Sequence, residues 1–149
     1  MSSYGRITRF IRSRSYAARP QASESSSERY QGLRLLTDTG RHVAVMIEEG
    51  HYCCENAGYC LSTASLDEWM GKELLEVKWV SGSPGPTFPP LPVSGKDDDI
   101  RKLFTAIVEL RFVGDTPPLR IILYNDRNPC AYSHQIFRAL DGSYDWQDL

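Results

Sequence analysis

The residues best suited to chemistry are concentrated in one short run of the chain, from Gly50 to Cys60. Three of the four cysteines, one histidine and one glutamate lie within these eleven residues. Thiolate, imidazole and carboxylate groups bind zinc, and a thiol beside a histidine base can act as a nucleophile. The run therefore indicates a metal site, a reactive thiol or a buried structural cluster, and the residue types alone do not select among the three.

The spacing within this run is unfavourable for zinc. Zinc ribbons and fingers use pairs of the form C-x₂-C, whereas Cys53 and Cys54 are adjacent. Successive strand residues point to opposite faces, so at most one of the two could join a site with His51, Cys130 or His134. Thiol catalysis by Cys54 would require a lowered thiol pKa, and the sequence shows no device that would lower it. We therefore predict neither a metal ion nor a cofactor, and an enzyme is the less favoured alternative.

A third interpretation is a binding pocket made of polar and aromatic residues at strand ends and turns. Such side chains can hydrogen-bond to a small ligand and stack on it. The same asparagines could instead shape a turn, and the tyrosines could pack on a sheet. The candidate ligand-binding residues are Cys54, Glu55, Tyr59, Tyr124, Asn125, Asn128, Tyr132 and His134. Any such site would lie between the cysteine run and the last predicted hairpin.

Length and composition limit the classes of function. A chain of 149 residues fits one domain, and 41% apolar with 24% charged residues is typical of a soluble globular protein. The net charge of −2 argues against nucleic-acid binding by a broad basic surface. No apolar stretch reaches the roughly 20 residues that a membrane-spanning helix needs. The partner is predicted to be a small ligand or a protein, and the composition does not indicate the oligomeric state.

The first 29 residues differ from the rest because they are basic and rich in serine. Five arginines and no acidic residue precede Glu24, and Arg14 to Ala17 resembles a processing site, as in a mitochondrial transit peptide. The other interpretation is a first strand from Arg6 to Arg12, followed by a disordered loop. Under either interpretation, residues 21–28 are predicted to be disordered. Four cysteines without a usual signal peptide predict reduced thiols and an intracellular protein. We expect a cytoplasmic location, with the mitochondrion as the alternative.

The elements that would position these residues are mainly strands. In the segment 41–47, Val43, Val45 and Ile47 share one face, and the opposite face is also mildly apolar, which predicts a strand covered on both sides. Leu75, Val77 and Trp79 share a face of the next predicted strand. Strands are predicted over residues 33–36, 41–47, 73–80, 103–113, 119–124 and 131–140.

One helix is predicted between these strands. Ser65 and Glu68 match a capping box, and the pattern predicts a short helix from Leu66 to Met70 that ends at Gly71. We therefore predict an α+β fold: a mainly antiparallel sheet with one short helix packed on it. The predicted single β-rich domain covers residues 30–142, with a proline-rich loop at 81–99 and a C-terminal tail at 143–149.

The chain resembles DUF7448, a domain of unknown function found in fungal, bacterial and phage proteins. The shared pattern is Gly-x-x-Cys-Cys-Glu-x-x-Gly-Tyr, then a short acidic helix, then Gly-Lys-Glu-Leu-Leu-Glu-Val. The family also has a Tyr-Asn-x-x-Asn-Gly-Tyr-Tyr-x-His hairpin, in which this chain carries Pro129 and Cys130 at the Gly-Tyr positions, so the turn must differ locally. The matching residues are Gly50, Cys53, Cys54, Glu55, Gly58, Tyr59, Leu66, Gly71, Leu74, Leu75, Tyr124, Asn125, Asn128, Tyr132 and His134.

The resemblance implies that the cysteine run and the Tyr-Asn hairpin belong to one structural design, and it implies no activity. Together with the composition, it predicts a non-enzymatic binding or interaction module. The alternatives are a thiol- or metal-dependent enzyme that uses the Cys-Cys-Glu run and His134, and a purely structural domain.

Overall fold

A computed structural model describes residues 3–16, 29–49, 55–63, 65–81, 102–127 and 134–149. These residues form nine strands and one 3₁₀ turn. The strands are β1 (Gly5–Tyr16), β2 (Arg29–Thr37), β3 (His42–Glu49), β4 (Glu55–Leu61), β5 (Glu73–Val80), β6 (Lys102–Phe112), β7 (Leu119–Arg127), β8 (Gln135–Leu140) and β9 (Ser143–Asp148). The predicted disordered residues 21–28 and nearly all of the proline-rich segment 81–99 lie outside the described residues.

All strand pairs are antiparallel, and their order across the sheet is β4-β7-β6-β5-β1-β2-β3-β8-β9. The strand β1 joins two halves of this sheet, because Gly5 and Arg6 pair with β5 while later residues pair with β2. We call the half made of β4, β7, β6 and β5 layer A, and the half made of β1, β2, β3, β8 and β9 layer B. The two layers pack face to face as a β-sandwich.

One apolar core lies between the two layers. Layer B contributes Val43, Val45 and Ile47, and layer A contributes residues such as Ile121 and Leu123. Side chains of layer B also donate hydrogen bonds to backbone carbonyl oxygens of layer A: Gln31 Nε2 donates to that of Ala57 at 3.3 Å, and Arg138 Nη1 to that of Val77 at 2.8 Å. The predicted alternation of β3 is confirmed, since its three β-branched residues all enter this core.

The outer face of layer B carries a second apolar cluster, which is rich in aromatic residues. Tyr30, Met46 and Phe137 are entirely shielded from solvent on this face. Tyr144 and Trp146 on β9 are stacked, with ring centroids 5.5 Å apart and an interplanar angle of 17°. The prediction that β3 is covered on both sides is therefore confirmed.

The α+β prediction is wrong, because the described chain is an antiparallel β structure without an α-helix. The predicted helix is a 3₁₀ turn from Asp67 to Trp69. Ser65 does not act as the helix cap; its Oγ accepts a hydrogen bond from the backbone N–H of Asp67 at 3.3 Å, two residues along the chain. The Trp69 indole donates to the carbonyl oxygen of Pro117 at 2.8 Å, which fixes this turn on the β6–β7 connection. Among the described residues, no helix is long and apolar enough to cross a membrane.

The two ends of the chain contribute strands to layer B. The basic N-terminal segment includes β1, whose Ile7 is buried in the core between the layers. The residues predicted as a C-terminal tail form β9, which pairs with β8 through a tight hairpin. Its two turn residues, Asp141 and Gly142, have φ angles of 53° and 84°, as a type I′ turn requires.

We predict that Gly32→Ala strongly destabilises the protein. A Cβ atom at Gly32 would lie 2.0 Å from the backbone carbonyl oxygen of Val45, so β2 and β3 would have to separate. We expect a loss of roughly 3 kcal/mol or more in the free energy of unfolding, measured by urea denaturation. Gly40→Ala is the matched control, because its Cβ would meet nothing within 4 Å and only the positive φ of 81° is strained. Its expected loss is roughly 1–2 kcal/mol, and equal losses for both variants would contradict the close-approach explanation.

Candidate functional site

The two segments that the sequence predicts to form a site have adjacent flanks. Glu55 pairs with Arg127 between β4 and β7. His134 Nδ1 lies 2.8 Å from the carbonyl oxygen of Glu48, so this ring nitrogen donates the hydrogen bond. The described residues that flank the segments 50–54 and 128–133 are thus neighbours, and the two segments themselves lie outside the described residues. Three candidate ligand-binding residues are therefore not described: Cys54, Asn128 and Tyr132. For a fourth candidate, Glu55, only the backbone is described.

Two other candidates, Asn125 and His134, hold the end of the last strand. Asn125 Nδ2 donates to the backbone oxygen of Leu149 at 2.9 Å. The backbone N–H of His134 donates to the same oxygen at 2.8 Å, and the N–H of Leu149 donates to the carbonyl oxygen of His134. Asn125 is completely buried, and its Oδ1 has no hydrogen-bond partner within the described part of the chain. These contacts give both residues a structural role at the junction of the two layers.

The remaining candidates, Tyr59 and Tyr124, lie on opposite faces of layer A. Tyr59 packs against the core between the layers. Tyr124 points outward from β7 and lies across Gly58 of the paired strand β4. Burial, with a smaller contribution from the Cys60 thiol, raises the pKa of the Tyr124 hydroxyl. The candidate set is therefore divided between two environments, because successive residues of a strand face opposite ways.

The described residues do not bring metal-ligating or reactive thiol groups together. None of their histidine, cysteine and acidic side chains form a group of three that could hold a metal ion. Cys60 is a free, half-buried cysteine. Burial raises the pKa of its thiol, which reduces the thiolate fraction available for reaction.

Sequence reasoning missed a cluster of charged residues on the outer face of layer A. Glu109 of β6 has only 1% of its side chain exposed, although two arginines lie beside it with 53% and 44% exposed. Arg111 Nε donates to Glu109 Oε1 at 2.6 Å, and Arg120 Nε donates to Glu109 Oε2 at 2.8 Å. One buried carboxylate thus holds two half-exposed guanidinium groups. We call these three residues the arginine pair site.

The hydrogen bonds and positive charges of two arginines together outweigh burial in setting the charge state of Glu109. Burial alone would raise the pKa of this carboxyl, but the hydrogen bonds and positive charges of Arg111 and Arg120 hold it below its ordinary value. The hydrogen bond to Glu109 also raises the pKa of Arg111. The charge of Glu76 contributes to the raised pKa of Arg111 as well. Glu109 is therefore ionised at neutral pH, and its carboxylate accepts hydrogen bonds from both guanidinium groups.

Two shallow depressions lie on either side of Pro118, next to the arginine pair site. Arg111 lines one of about 290 Å³, and Arg120 lines the other, of about 380 Å³. The larger depression also has an apolar wall, formed by Trp69 and the two prolines of the β6–β7 connection. The Ser62 hydroxyl accepts a hydrogen bond from the backbone N–H of Arg120 at 3.0 Å, so it holds β7 in place at this rim.

Part of the arginine pair site could be predicted from the sequence. Glu109 and Arg111 are two positions apart on a predicted strand, which places them on the same face. Arg120 belongs to the next strand, and only the β6–β7 register places it opposite Glu109. That register follows from the length and shape of the connection between the strands, which the residue types alone do not specify.

Comparison of the chain with family models, with curated proteins and with solved structures gives no match. The resemblance to DUF7448 therefore stays a prediction. We assign the roles of residues from the geometry of this chain alone.

We predict that Gly58→Ala destabilises the protein by displacing the Tyr124 ring. A Cβ atom at Gly58 would lie 2.7 Å from the Tyr124 hydroxyl oxygen and 3.0 Å from Cζ. The expected loss is about 2 kcal/mol in the free energy of unfolding. The same substitution in a Tyr124→Phe background should lose less, because the clashing oxygen is absent. Urea denaturation of the four proteins measures this coupling, and additive losses would contradict the contact.

We predict that Glu109→Gln lowers the free energy of unfolding by about 2 kcal/mol at pH 7, because it removes two charge-assisted hydrogen bonds. The folded carboxyl has a pKa below its ordinary value of 4.5, so its contribution is complete above that pH and is lost as the pH falls through the folded pKa. The difference between wild type and variant should therefore shrink below pH 4.5, as measured by urea denaturation at successive pH values.

The matched control for this experiment is Glu76→Gln. Glu76 is 48% exposed and lies 3.9 Å from Lys78 in a surface ion pair, so its loss should change stability by less than about 1 kcal/mol. A loss for Glu109→Gln no greater than that of the control would refute the stabilising role of the buried carboxylate.

Proposed function

We propose that this protein is a non-enzymatic binding module that recognises an oxyanion, a carboxylate or a phosphate, on a peptide segment of another protein. The observation that carries the proposal is the arginine pair site. Glu109 holds Arg111 and Arg120 through their Nε atoms, and both arginine side chains remain about half-exposed to solvent. The planar fork of arginine matches the geometry of carboxylate and phosphate oxygens.

The buried carboxylate favours binding by fixing the arginines before a ligand arrives. A free arginine side chain loses conformational entropy when it is immobilised, and this loss weakens binding. Here the Nε atoms are already engaged at 2.6 and 2.8 Å, so part of that entropy is lost on folding. Hydrogen bonds between charged partners are about twice as strong as neutral ones, which suits a small site with few contacts.

The local charge supports an anionic ligand even though the whole chain is slightly acidic. Lys78 lies across from Glu109 on β5, and Glu76 lies across from Arg111. Three positive side chains therefore face two negative ones on this part of layer A. Glu68 stands at the rim of the larger depression, which favours a ligand whose anionic group is followed by a neutral or basic residue.

A peptide fits this surface better than a nucleic acid does. The depression beside Arg120 combines a hydroxyl, Thr63, with the apolar surface of Trp69 and Pro117. Such a wall suits an amino-acid side chain next to the anionic group. The positive patch is also limited to a few residues, whereas nucleic-acid binding by counterion release needs many cationic contacts.

No contact among the described residues favours the enzyme alternatives over this proposal. Nδ1 of His134 is engaged with the carbonyl oxygen of Glu48, and the pKa of the Cys60 thiol is raised rather than lowered. If no anion binds in the experiment below, the remaining interpretation is a purely structural domain. We further propose a cytoplasmic protein that keeps its arginine-rich segment, because β1 supplies Ile7 to the core.

The test is a titration of ¹⁵N-labelled protein with sodium phosphate at constant ionic strength, followed on the Nε–Hε signals of the arginine side chains. We expect saturable shifts at Arg111 and Arg120, and a loss of affinity of at least about tenfold in Arg120→Gln. Arg41→Gln is the matched control, because Arg41 is also 44% exposed and forms a surface ion pair with Asp141 at 3.1 Å. Equal weakening by both substitutions, or shifts spread over all arginines, would contradict the site.

Peptides then distinguish the two sources of the oxyanion. Three fluorescein-labelled octapeptides of glycine and serine carry a central phosphoserine, glutamate or serine, and their binding is followed by fluorescence anisotropy. Binding of the phosphoserine or the glutamate peptide, with loss in Arg120→Gln and none in Arg41→Gln, supports the proposal and names the source. Failure of both charged peptides to bind more tightly than the serine peptide would overturn it.

A further inference from the structure

The strand β9 ends layer B, and its outer edge has no pairing strand among the described residues. Leu149 and His134 exchange two backbone hydrogen bonds, and a two-residue turn joins β8 to β9. In an antiparallel pair, hydrogen-bonded and non-hydrogen-bonded residues alternate. The backbone groups of Ser143, Asp145 and Gln147 therefore face β8. Those of Tyr144, Trp146 and Asp148 point away from it, towards the open edge.

The other exposed edges of the fold are less suited to pairing. At β4, the edge strand of layer A, Gln31 donates a hydrogen bond to the carbonyl oxygen of Ala57 and closes part of the edge. The strand β1 pairs with β5 only at its beginning, and the rest of that edge carries the exposed residues Arg9, Arg12 and Arg14. Repeated like charges on an edge oppose its pairing with a copy of itself, and β9 carries two acidic residues, of which Asp145 is paired with Arg138.

We infer that two copies of this chain associate through β9, in an antiparallel pair with Trp146 on the two-fold axis. In this register, the two Trp146 residues exchange backbone hydrogen bonds with each other, and Tyr144 exchanges them with Asp148 of the second copy. Asp145 then lies opposite Gln147. No two like charges are directly opposed, which is the arrangement that cross-strand pairing favours.

The side chains beside this edge also favour pairing with a second copy of the chain. Tyr144 and Trp146 lie on the outer face of layer B, and Trp146 packs on Phe137 with ring centroids 4.5 Å apart. Pairing about Trp146 joins this aromatic cluster to that of the second copy. On the opposite face, Asp145 already accepts hydrogen bonds from Trp79 Nε1 and Arg138 Nε, both at 3.0 Å, so its charge is balanced within one copy. The strand therefore offers an isologous, self-complementary surface.

The decisive test removes one outward backbone N–H without touching the aromatic cluster. Asp148→Pro removes the N–H of an exposed residue, and Asp148→Ala removes the same side chain but keeps the N–H. By sedimentation equilibrium, we expect wild type and Asp148→Ala to dimerise with constants within about twofold of each other. Asp148→Pro should dimerise at least about tenfold more weakly, because each two-fold pair loses two hydrogen bonds. A monomer at all concentrations, or equal dimerisation by the two variants, would overturn the inference.

The register is tested separately, so that a folding defect in the proline variant cannot decide the outcome. Photo-reactive p-benzoylphenylalanine is placed at Asp148, and mixed ¹⁴N- and ¹⁵N-labelled protein identifies cross-links between copies by mass spectrometry. Cross-links to residues around Tyr144 of the second copy support the two-fold pairing. Cross-links to β1 of the second copy would show an acidic strand on a basic one, and would refute it. So would the absence of cross-links between copies.

Discussion

The alternation of side chains along β7 determines most of the environments described above. Leu119, Ile121 and Leu123 face the core, and Arg120 and Tyr124 face outward. A shift of this strand by one residue would exchange the two sets, so the apolar core strongly fixes its register. The position of Arg120 beside Glu109 is therefore a consequence of burying three leucine and isoleucine side chains on the other face. The position of the charged groups on the surface therefore depends on the packing of the core, although these groups are not part of the core.

A buried carboxylate on the outer face of a sheet is an inefficient way to stabilise a fold. Removing a charge from water is costly, and a well-packed apolar residue often stabilises a protein as much as a buried ion pair does. Glu109 avoids part of this cost because two guanidinium groups satisfy both of its oxygens. The arrangement places positive charge at fixed positions on a surface, which an apolar residue could not do. This difference is the physical basis for the proposal that the cluster binds a ligand in addition to stabilising the fold.

The sequence predicts much of the sheet because its strong patterns are local. Val43, Val45 and Ile47 alternate, and all three are buried as expected. The prediction fails where a local pattern gives way to contacts distant in sequence. A β-bulge between Leu74 and Glu76 changes the pairing register, so Leu74 rather than Leu75 enters the core. Ser65 has the residue type of a helix cap, but the short connection to β5 and the docking of Trp69 leave room for only one 3₁₀ turn.

The same distinction applies to the candidate site. The types of Asn125 and His134 suggested a ligand, whereas their burial and their bonds to Leu149 and Glu48 explain their presence structurally. Glu109 and Arg111 could be placed on one face from their spacing, but Arg120 required the cross-strand register. Residue type and spacing thus identify groups capable of chemistry. Pairing between distant strands decides which of them meet.

The order of strands also has a consequence for how the chain folds. Layer B can begin to form from β1, β2 and β3, which follow one another in sequence and pair in that order. By contrast, β4 can pair only after β7 has been synthesised, and β3 gains its second partner only after β8 has been synthesised. Closing such long loops before their contacts form slows folding, and β-sandwiches of this kind fold in milliseconds to seconds. During synthesis, the apolar face formed by β1, β2 and β3 leaves the ribosome before the strands of layer A that will cover it, and β8 and β9 complete layer B last.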